Sequence, residues 1–238
     1  MIDLHCHILP KIDDGARDLE AALKMAAIAV EDGVETIVAT PHVLDLPILM
    51  KEVESRIAEL ASNLSAKQLA LKILPGAEVS IFAFSQIKDI KEYTINKSDY
   101  ILVEFPYLNI PDYFDDILFN IAANGLKPIL AHPERNPEII KNPSRLKRFL
   151  KNDTYVQITA ASITGVFGTA IKKCSEYLLE NDLVTIVATD AHSTRKRPPI
   201  LSNAYDYVKN HLDSTCADYL FKYNPEAVIS NKKIDHHN

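Results

Sequence analysis

Cysteine is scarce in this chain. Cys6, Cys174 and Cys216 are odd in number and form no CxxC pair, which argues against a disulfide framework or a thiolate zinc site. Long apolar runs are missing as well. None approaches the ~20 residues that span a bilayer, so no membrane insertion is expected. The N-terminus, Met1-Ile2-Asp3-Leu4-His5, has no basic segment followed by an apolar one. No secretory signal is therefore expected, and the cytoplasm is the default setting. Positive charge is not in excess either: a net charge of −6 gives no general attraction for nucleic acid. What remains is ordinary. Hydrophobic residues make up 47% and charged residues 24%, the balance of a folded globular chain. A length of 238 residues suits one sizeable core, and no low-complexity linker divides it, so 1–238 reads as a single domain.

Short Val- and Ile-rich runs alternate with helical patterns. Strands are expected at 2–5, 36–40, 71–74, 100–104, 128–132, 155–159 and 185–190. Several are apolar almost throughout, as strands buried on both faces should be. Leu19, Leu23, Ala26 and Val30 recur at helical spacing, with Asp18 placed as N-cap and Gly33 as the stop. Val53, Ile57, Leu60 and Leu64 repeat the pattern, as do Ile171, Cys174 and Leu178. Such alternation implies parallel strands joined by helical crossovers. Seven strands at an even spacing of ~30 residues suit a barrel better than an open sheet. In a barrel, residues just past the C-terminal strand ends converge on one face. His236 and His237 lie in a polar tail and read as tail residues rather than ligands.

His5 and His7 form an HxH pair on the first strand. Residues i and i+2 project to one face, so both imidazoles can reach one cation while Cys6 points away. Alone, the pair looks like two buried, hydrogen-bonded histidines. The other strand ends change that judgement. The second run ends Thr40-Pro41-His42, the third leads to Gly76-Ala77-Glu78, and the fourth ends Val103-Glu104. The fifth ends Ala131-His132-Pro133-Glu134-Arg135 and the seventh Thr189-Asp190-Ala191-His192, while Asp13 and Asp14 follow the first. Six of seven strand ends thus carry His, Asp or Glu on or beside an apolar run. Burying carboxylates there is costly unless they are paired or bind metal. Imidazole with carboxylate and no thiolate suits Mn²⁺, Fe²⁺ or Zn²⁺. The candidate ligands exceed what one ion can use, which implies two or three ions sharing carboxylates.

Met1 to Pro10 with Asp13-Asp14-Gly15, then Ala39-Thr40-Pro41-His42, Gly76-Ala77-Glu78, Val103-Glu104-Phe105-Pro106, Ala131-His132-Pro133-Glu134-Arg135 and Asp190-Ala191-His192 form an ordered set. The set resembles the polymerase-and-histidinol-phosphatase (PHP) family over nearly the whole chain. Within that family it is most similar to the manganese-dependent protein tyrosine phosphatases of bacterial capsule and exopolysaccharide operons. The resemblance implies a distorted TIM-like (β/α)7 barrel with three metal ions, Mn²⁺ foremost. One ion would sit with His5, His7, Glu78 and Asp190. A second would share Glu78 and add Glu104 and His132. The third would take Asp14, His42 and His192, and Asp3 would orient the first-strand histidines. Arg135 and Arg197 would hold the phosphate, each through a guanidinium fork, and count with Asp14 and His42 as catalytic. Arg197 is preferred to Arg195 because Pro198-Pro199 follow it as in the family. The implied substrate is a phosphotyrosine-bearing protein, such as the tail of a bacterial tyrosine autokinase. The loop after His42, Val43 to Pro47, is short and apolar where the family often carries a longer polar segment.

Other mechanisms leave different marks. A cysteine-nucleophile phosphatase needs Arg six residues after its Cys, and here Ile12, Glu180 and Lys222 stand there. The nucleophile must then be metal-activated water. An amidohydrolase also opens with HxH, but usually has a metal-bridging Lys where Glu104 stands. A nuclease would gain from a basic groove, and this chain is acidic overall. The remaining alternatives are a histidinol-phosphate type of small-molecule phosphatase and a non-enzymatic PHP module with a vestigial metal site.

Overall fold

The computed structural model describes residues 1–44, 48–151 and 153–234. In it the apolar runs become short parallel strands: β1 (Ile2–Cys6), β2 (Thr36–Ala39), β3 (His42–Val43), β4 (Lys72–Pro75), β5 (Glu78–Ser80), β6 (Tyr100–Glu104), β7 (Lys127–Ala131), β8 (Tyr155–Thr159) and β9 (Ile186–Ala188). One sheet runs β1-β2-β4 and the other β3-β5-β6-β7-β8-β9, with every pairing parallel. The sheets are continuous in sequence. Only Thr40 and Pro41 separate β2 from β3, and only Gly76 and Ala77 separate β4 from β5. The expected strands 36–40 and 71–74 correspond to β2 and β4, and β3 and β5 continue them beyond these two-residue breaks. Proline removes a ladder donor at the first break. At the second, a Cβ on Gly76 would come 2.7 Å from Val38 Cγ1, so only glycine lets the two strands approach.

The circuit closes on itself. Asp190 N donates to His5 O at 2.8 Å, His7 N donates to Ala191 O at 2.9 Å, and Cys6 bridges Ala191. The seven strand positions therefore follow one another round in the order expected of a distorted (β/α)7 barrel. Helix Leu19–Glu31 begins where Asp18 accepts a hydrogen bond from Ala21 N at 2.8 Å, and Gly33 follows it at φ +82°. Helices Met50–Ala66 and Thr169–Glu180 bury Val53, Leu60 and Leu64, and Cys174 and Leu178, as their spacing predicts. Helices Phe114–Ala123 and Ser202–His211 are additional to those read from spacing.

Two apolar clusters hold these layers. The larger packs the helices onto the strands. The smaller takes at least one residue from every strand position, including Leu4, Val38, Leu74, Leu102, Ile129, Tyr155 and Ile186, which puts it inside the circuit. Val228 and Ile234 of the C-terminal segment join it, and Tyr100 Oη donates to Lys232 O at 2.7 Å. Each such aliphatic side chain contributes about 1.5–3 kcal/mol by leaving water. Among the described residues no helix is long and apolar enough to cross a membrane. His236 and His237, and residues 45–47 of the loop after His42, lie outside the described residues.

Candidate metal centre

The C-terminal strand ends gather the polar residues. Between Asp3 and Cys6, β1 advances three residues while β2 advances two, from Ile37 to Ala39. This bulge re-aims the end of the strand, as bulges beside functional sites commonly do. His5 and His7 then share one side, and Cys6 is buried in the larger apolar cluster with its Sγ near Ala191 O. His132 at φ +42° and Asp190 at φ +52° both adopt the left-handed backbone region, which costs a non-glycine residue energy. Both stand immediately after or near a strand end and turn their side chains into the cluster.

His5, His7, Glu78 and Asp190 form its centre, all buried. His5 Nε2 and His7 Nε2 are 3.1 Å apart. Both lie 3.2–3.4 Å from Glu78 Oε2 and Asp190 Oδ1. These are five of the six edges of a four-cornered site, and the four ligand atoms all lie within 4.8 Å of one another, close enough for one ion to reach each at about 2.0–2.2 Å. Two nitrogens and two oxygens spaced this way fit an ion better than they fit each other. The far side of each imidazole is anchored. His5 Nδ1 lies 2.9 Å from Gln157 Oε1, His7 Nδ1 lies 2.7 Å from Asp13 Oδ2, and His192 Nδ1 lies 3.0 Å from Asp190 O. When each Nδ1–H donates to its oxygen, Nε2 faces the cluster with a lone pair. Glu78 Oε2, His42 Nδ1 and His192 Nε2 are also buried without a hydrogen bond of good geometry among the described residues. The donor set fits divalent ions.

Two further groups share these residues. His7, Asp14, His42 and His192 bring ligand atoms together on one side. His42, Glu78 and Glu104 do so on another. Asp14 is the exposed member, with 69% of its side chain accessible, and it reaches His192 Nε2 at 3.3 Å and His42 Nε2 at 3.5 Å. These groupings differ in detail from the expected sets. His7 joins the Asp14, His42 and His192 group, and His42 rather than His132 stands with Glu78 and Glu104. His132 Nε2 lies 2.7 Å from the other Glu78 oxygen, Oε1. Every expected ligand is nonetheless at the same end of the strands.

Charge within the cluster is set by competition between burial and neighbours. Burial would push the Glu78 carboxyl up, but His5, His132 and His42 together hold it well below the usual carboxylate range. Asp190 is likewise raised by burial and then pulled well below that range by His5, His7 and Arg135. Burial lowers the affinity of His7 for a proton, yet contacts with Asp13, Asp190 and Glu78 raise its pKa well above the ordinary value. The His192 ring lies 3.8 Å from the His7 ring, and burial followed by that cation presses its pKa down to about 4. Glu104 is pushed up, first by burial and then by the Glu78 carboxylate. Asp3 is raised to about 6 by burial, against its hydrogen bonds from Thr189 and His5. It accepts from Thr189 N, Thr189 Oγ1 and His5 N. Asp3 thus ties the backbone of His5 on β1 to Thr189 just past the end of β9.

Both expected arginines reach the cluster. Arg135 Nη1 donates to Asp190 Oδ2 at 2.6 Å, and Arg197 Nη2 donates to the same oxygen. Arg135 Nη2 also donates to Thr159 Oγ1 at 2.6 Å, and its guanidinium lies 4.5 Å over the Phe167 ring. Of the five N–H donors on each guanidinium, Arg135 uses two and Arg197 one in hydrogen bonds among the described residues. Arg197 is not part of a solvated turn: its carbonyl accepts from His192 N and Ser193 N, which folds the loop inward. Arg195 is exposed.

Gln157, Thr159 and Phe167 are absent from the residues singled out by sequence, while Asp13 and Glu134 stood in its motifs without a role of their own. Asp13 is the organiser of its loop. Its carboxylate accepts from Gly15 N and His42 N besides holding His7. A Cβ on Gly15 would come 2.1 Å from His7 O, so glycine is required for the loop to lie against β1. Glu134, fully buried, accepts from Thr159 N and Ser162 Oγ and fixes the strand end beneath Arg135. The adjacency of Asp13 to Asp14 was a usable signal; the others depend on strand register.

Comparison with known proteins agrees with this geometry. The family model for capsular polysaccharide synthesis, CpsB/CapC, matches residues 1–230. The chain is 35% identical to the tyrosine-protein phosphatase YwqE of Bacillus subtilis over 98% of its own length and 93% of that protein. It is 33% identical to the tyrosine-protein phosphatase CpsB of Streptococcus pneumoniae over 98% of this chain and all of that one. A crystal structure from work on YwqE and CpsB, described as unique metal-dependent tyrosine phosphatases, superposes with a TM-score of 0.94 at 34% identity, covering 100% of this chain and 97% of the other. A Listeria monocytogenes lactonase shares the fold at a TM-score of 0.59 and 15% identity. On the family match and these full-length relatives, the chain belongs to the CpsB/CapC family of capsular polysaccharide synthesis.

Proposed function

We propose that this protein is a divalent-metal phosphatase that hydrolyses phosphotyrosine in protein. The observation that carries the reading is the meeting of two guanidiniums, Arg135 and Arg197, at the edge of a buried His/Asp/Glu cluster, each with N–H donors unused by hydrogen bonds among the described residues. The activity of its full-length relatives YwqE and CpsB supports the same class. His5, His7, Glu78 and Asp190 would hold one ion, with Asp14, His42, His192, Glu104 and His132 serving the others. Bound there, divalent ions supply Lewis acidity at the phosphoryl group and lower the pKa of water. We take Mn²⁺ as the working ion, with Fe²⁺ or Zn²⁺ as substitutes the donor set also suits.

The protein's own groups do the rest. Arg135 and Arg197 orient the phosphoryl oxygens and offset the charge that builds on them. Thr159 and the Phe167 ring hold Arg135 in place. Gln157 and Asp13 keep His5 and His7 in the tautomer that points Nε2 inward. Among the described residues outside the cluster, this reading assigns none as proton donor to the leaving oxygen. A phenolate, with a conjugate-acid pKa near ~10, departs without one, whereas a serine alkoxide needs it. The natural substrate in this reading is the tyrosine-rich tail of a bacterial tyrosine kinase, met in the cytoplasm.

The test compares kcat/KM for phosphotyrosine and phosphoserine peptides of identical flanking sequence, with Mn²⁺ saturating. The phosphotyrosine peptide should be cleaved at least ~100-fold faster, in the range general-acid catalysis is worth. Equal rates, or a preference for phosphoserine or histidinol phosphate, would leave a metallophosphatase standing but remove tyrosine as its target.

A further inference from the structure

A cleft of about 530 Å³ opens beside the metal centre, lined among others by Arg17, Glu20, Lys24, His192, Arg195 and Lys196. One wall is the segment that follows Asp13 and Asp14; the other is the loop between His192 and Arg197. Both walls are therefore fixed by residues of the cluster, and His192 belongs to cleft and cluster alike. Arg17, Glu20 and Lys24 lie three and four residues apart, so they line one face of the helix and its lead-in. Lys24 pairs with Glu20 at 2.6 Å and Arg17 with Asp18 at 3.1 Å. Arg195 and Lys196, on the opposite wall, make no ion pair among the described residues. Four cationic side chains thus face one lining carboxylate, in a chain whose net charge is −6. A local reversal of charge next to a reacting centre attracts anions and disfavours cations.

We propose that this cleft is an anion subsite that receives an acidic group of the substrate polypeptide, flanking the phosphotyrosine held at the metal centre. The inference deepens the phosphatase reading and rests on it. The anion is a carboxylate of a neighbouring Asp or Glu, or the phosphate of a second phosphotyrosine; the cationic walls suit both. Arg135 and Arg197 are committed to Asp190 and the transferred phosphoryl group, which leaves Arg195 and Lys196, unpaired among the described residues, for a neighbouring residue.

Three peptides carrying the non-hydrolysable phosphonate analogue of phosphotyrosine separate the possibilities: one flanked by Glu, one by a second phosphotyrosine analogue, one by Gln. Binding to the Mn²⁺-loaded protein is read by fluorescence anisotropy at low salt, alongside turnover of p-nitrophenyl phosphate. The native protein should bind at least one acidic peptide about tenfold more tightly than the Gln peptide, and added salt should erase the difference. In Arg195→Glu/Lys196→Glu that preference should vanish while Gln-peptide binding and p-nitrophenyl phosphate turnover stay within about twofold. Arg17→Glu/Lys24→Glu tests the other wall, should the first variant fail to fold. Preference for both acidic peptides indicates any anion; preference for the doubly phosphorylated one alone indicates phosphate. Equal binding of all three peptides by the native protein, or equal weakening of all three in both variants, overturns the subsite. Absence of any aryl-phosphate turnover by the native protein would instead overturn the phosphatase reading, and the binding measurements would still decide the cleft.

Discussion

The two ends of the strand circuit are built from the same strands and do opposite things. At the N-terminal end Leu4, Leu74, Leu102, Ile129 and Tyr155 pack into an apolar cluster, joined by Val228 and Ile234. At the C-terminal end, a few residues further along each chain, His5, Glu78, Asp190 and His132 bury ionisable groups against one another. The first end pays back the entropy of ordering the chain. The second is destabilising by itself, because buried carboxylates and a protonated His7 hold one another in check only in pairs. The difference teaches where selection for chemistry has overridden selection for packing. It also predicts that changes at one end leave the property of the other nearly untouched.

The largest effect should come from the centre of the polar end. Glu78 touches His5, His7, His42 and His132, so Glu78→Gln removes the shared anion from two of the three candidate metal groups. Turnover of a phosphotyrosine peptide should fall by about 10³-fold or more, and metal content by at least one ion per chain on elemental analysis. Unchanged metal content would show that Glu78 is a counter-ion and not a ligand.

Next in size are the arginines. Arg135→Ala and Arg197→Ala should each keep their metal yet lose about 10²–10³-fold in kcat, the cost of removing one charge-stabilising donor. Asp190 ought to tolerate losing either, because the other still donates to Oδ2. Normal kinetics for Arg197→Ala would return that residue to a structural role and break its pairing with Arg135.

The apolar end should answer in the opposite way. Leu102→Ala opens a cavity in the inner cluster and should cost about 2–5 kcal/mol of stability, read from denaturant unfolding, with kcat of the folded protein within twofold. A large fall in kcat without a fall in stability would mean that the two ends are coupled.

How much of this was readable beforehand follows the same division. Strand cores declare themselves through runs of apolar residues, and helix Leu19–Glu31 through its spacing and its Asp18 cap. The ligands declare themselves because charged residues at the ends of apolar strands have few bland explanations. The short continuations beyond the second and third strands were not read. Pro41 marks the first break locally, whereas the second depends on Gly76 meeting Val38, a contact between distant residues. Gln157 and Thr159 look like ordinary strand residues until the register of β8 sets them beneath His5 and Arg135. Phe167 sits in a turn, and nothing local announces that Arg135 will stack on it. Asp13 was visible beside Asp14, but only the fold assigns it to the back of His7.

The central claim is that the polar end is a metal centre whose filling brings phosphatase activity. Titrating metal-free protein with Mn²⁺ tests it, following bound ions, released protons and phosphotyrosine-peptide turnover together. Carboxylate contacts raise the pKa of His7 well above its ordinary value and that of His42 above it, so ions binding there should release protons, whereas His192, near 4, has none to give near pH 7. Affinity should therefore weaken as pH falls. The account predicts more than one ion bound per chain, net proton release on binding, and turnover rising in step with occupancy. Full turnover in the metal-free protein, or ions bound with neither proton release nor activity, would contradict it.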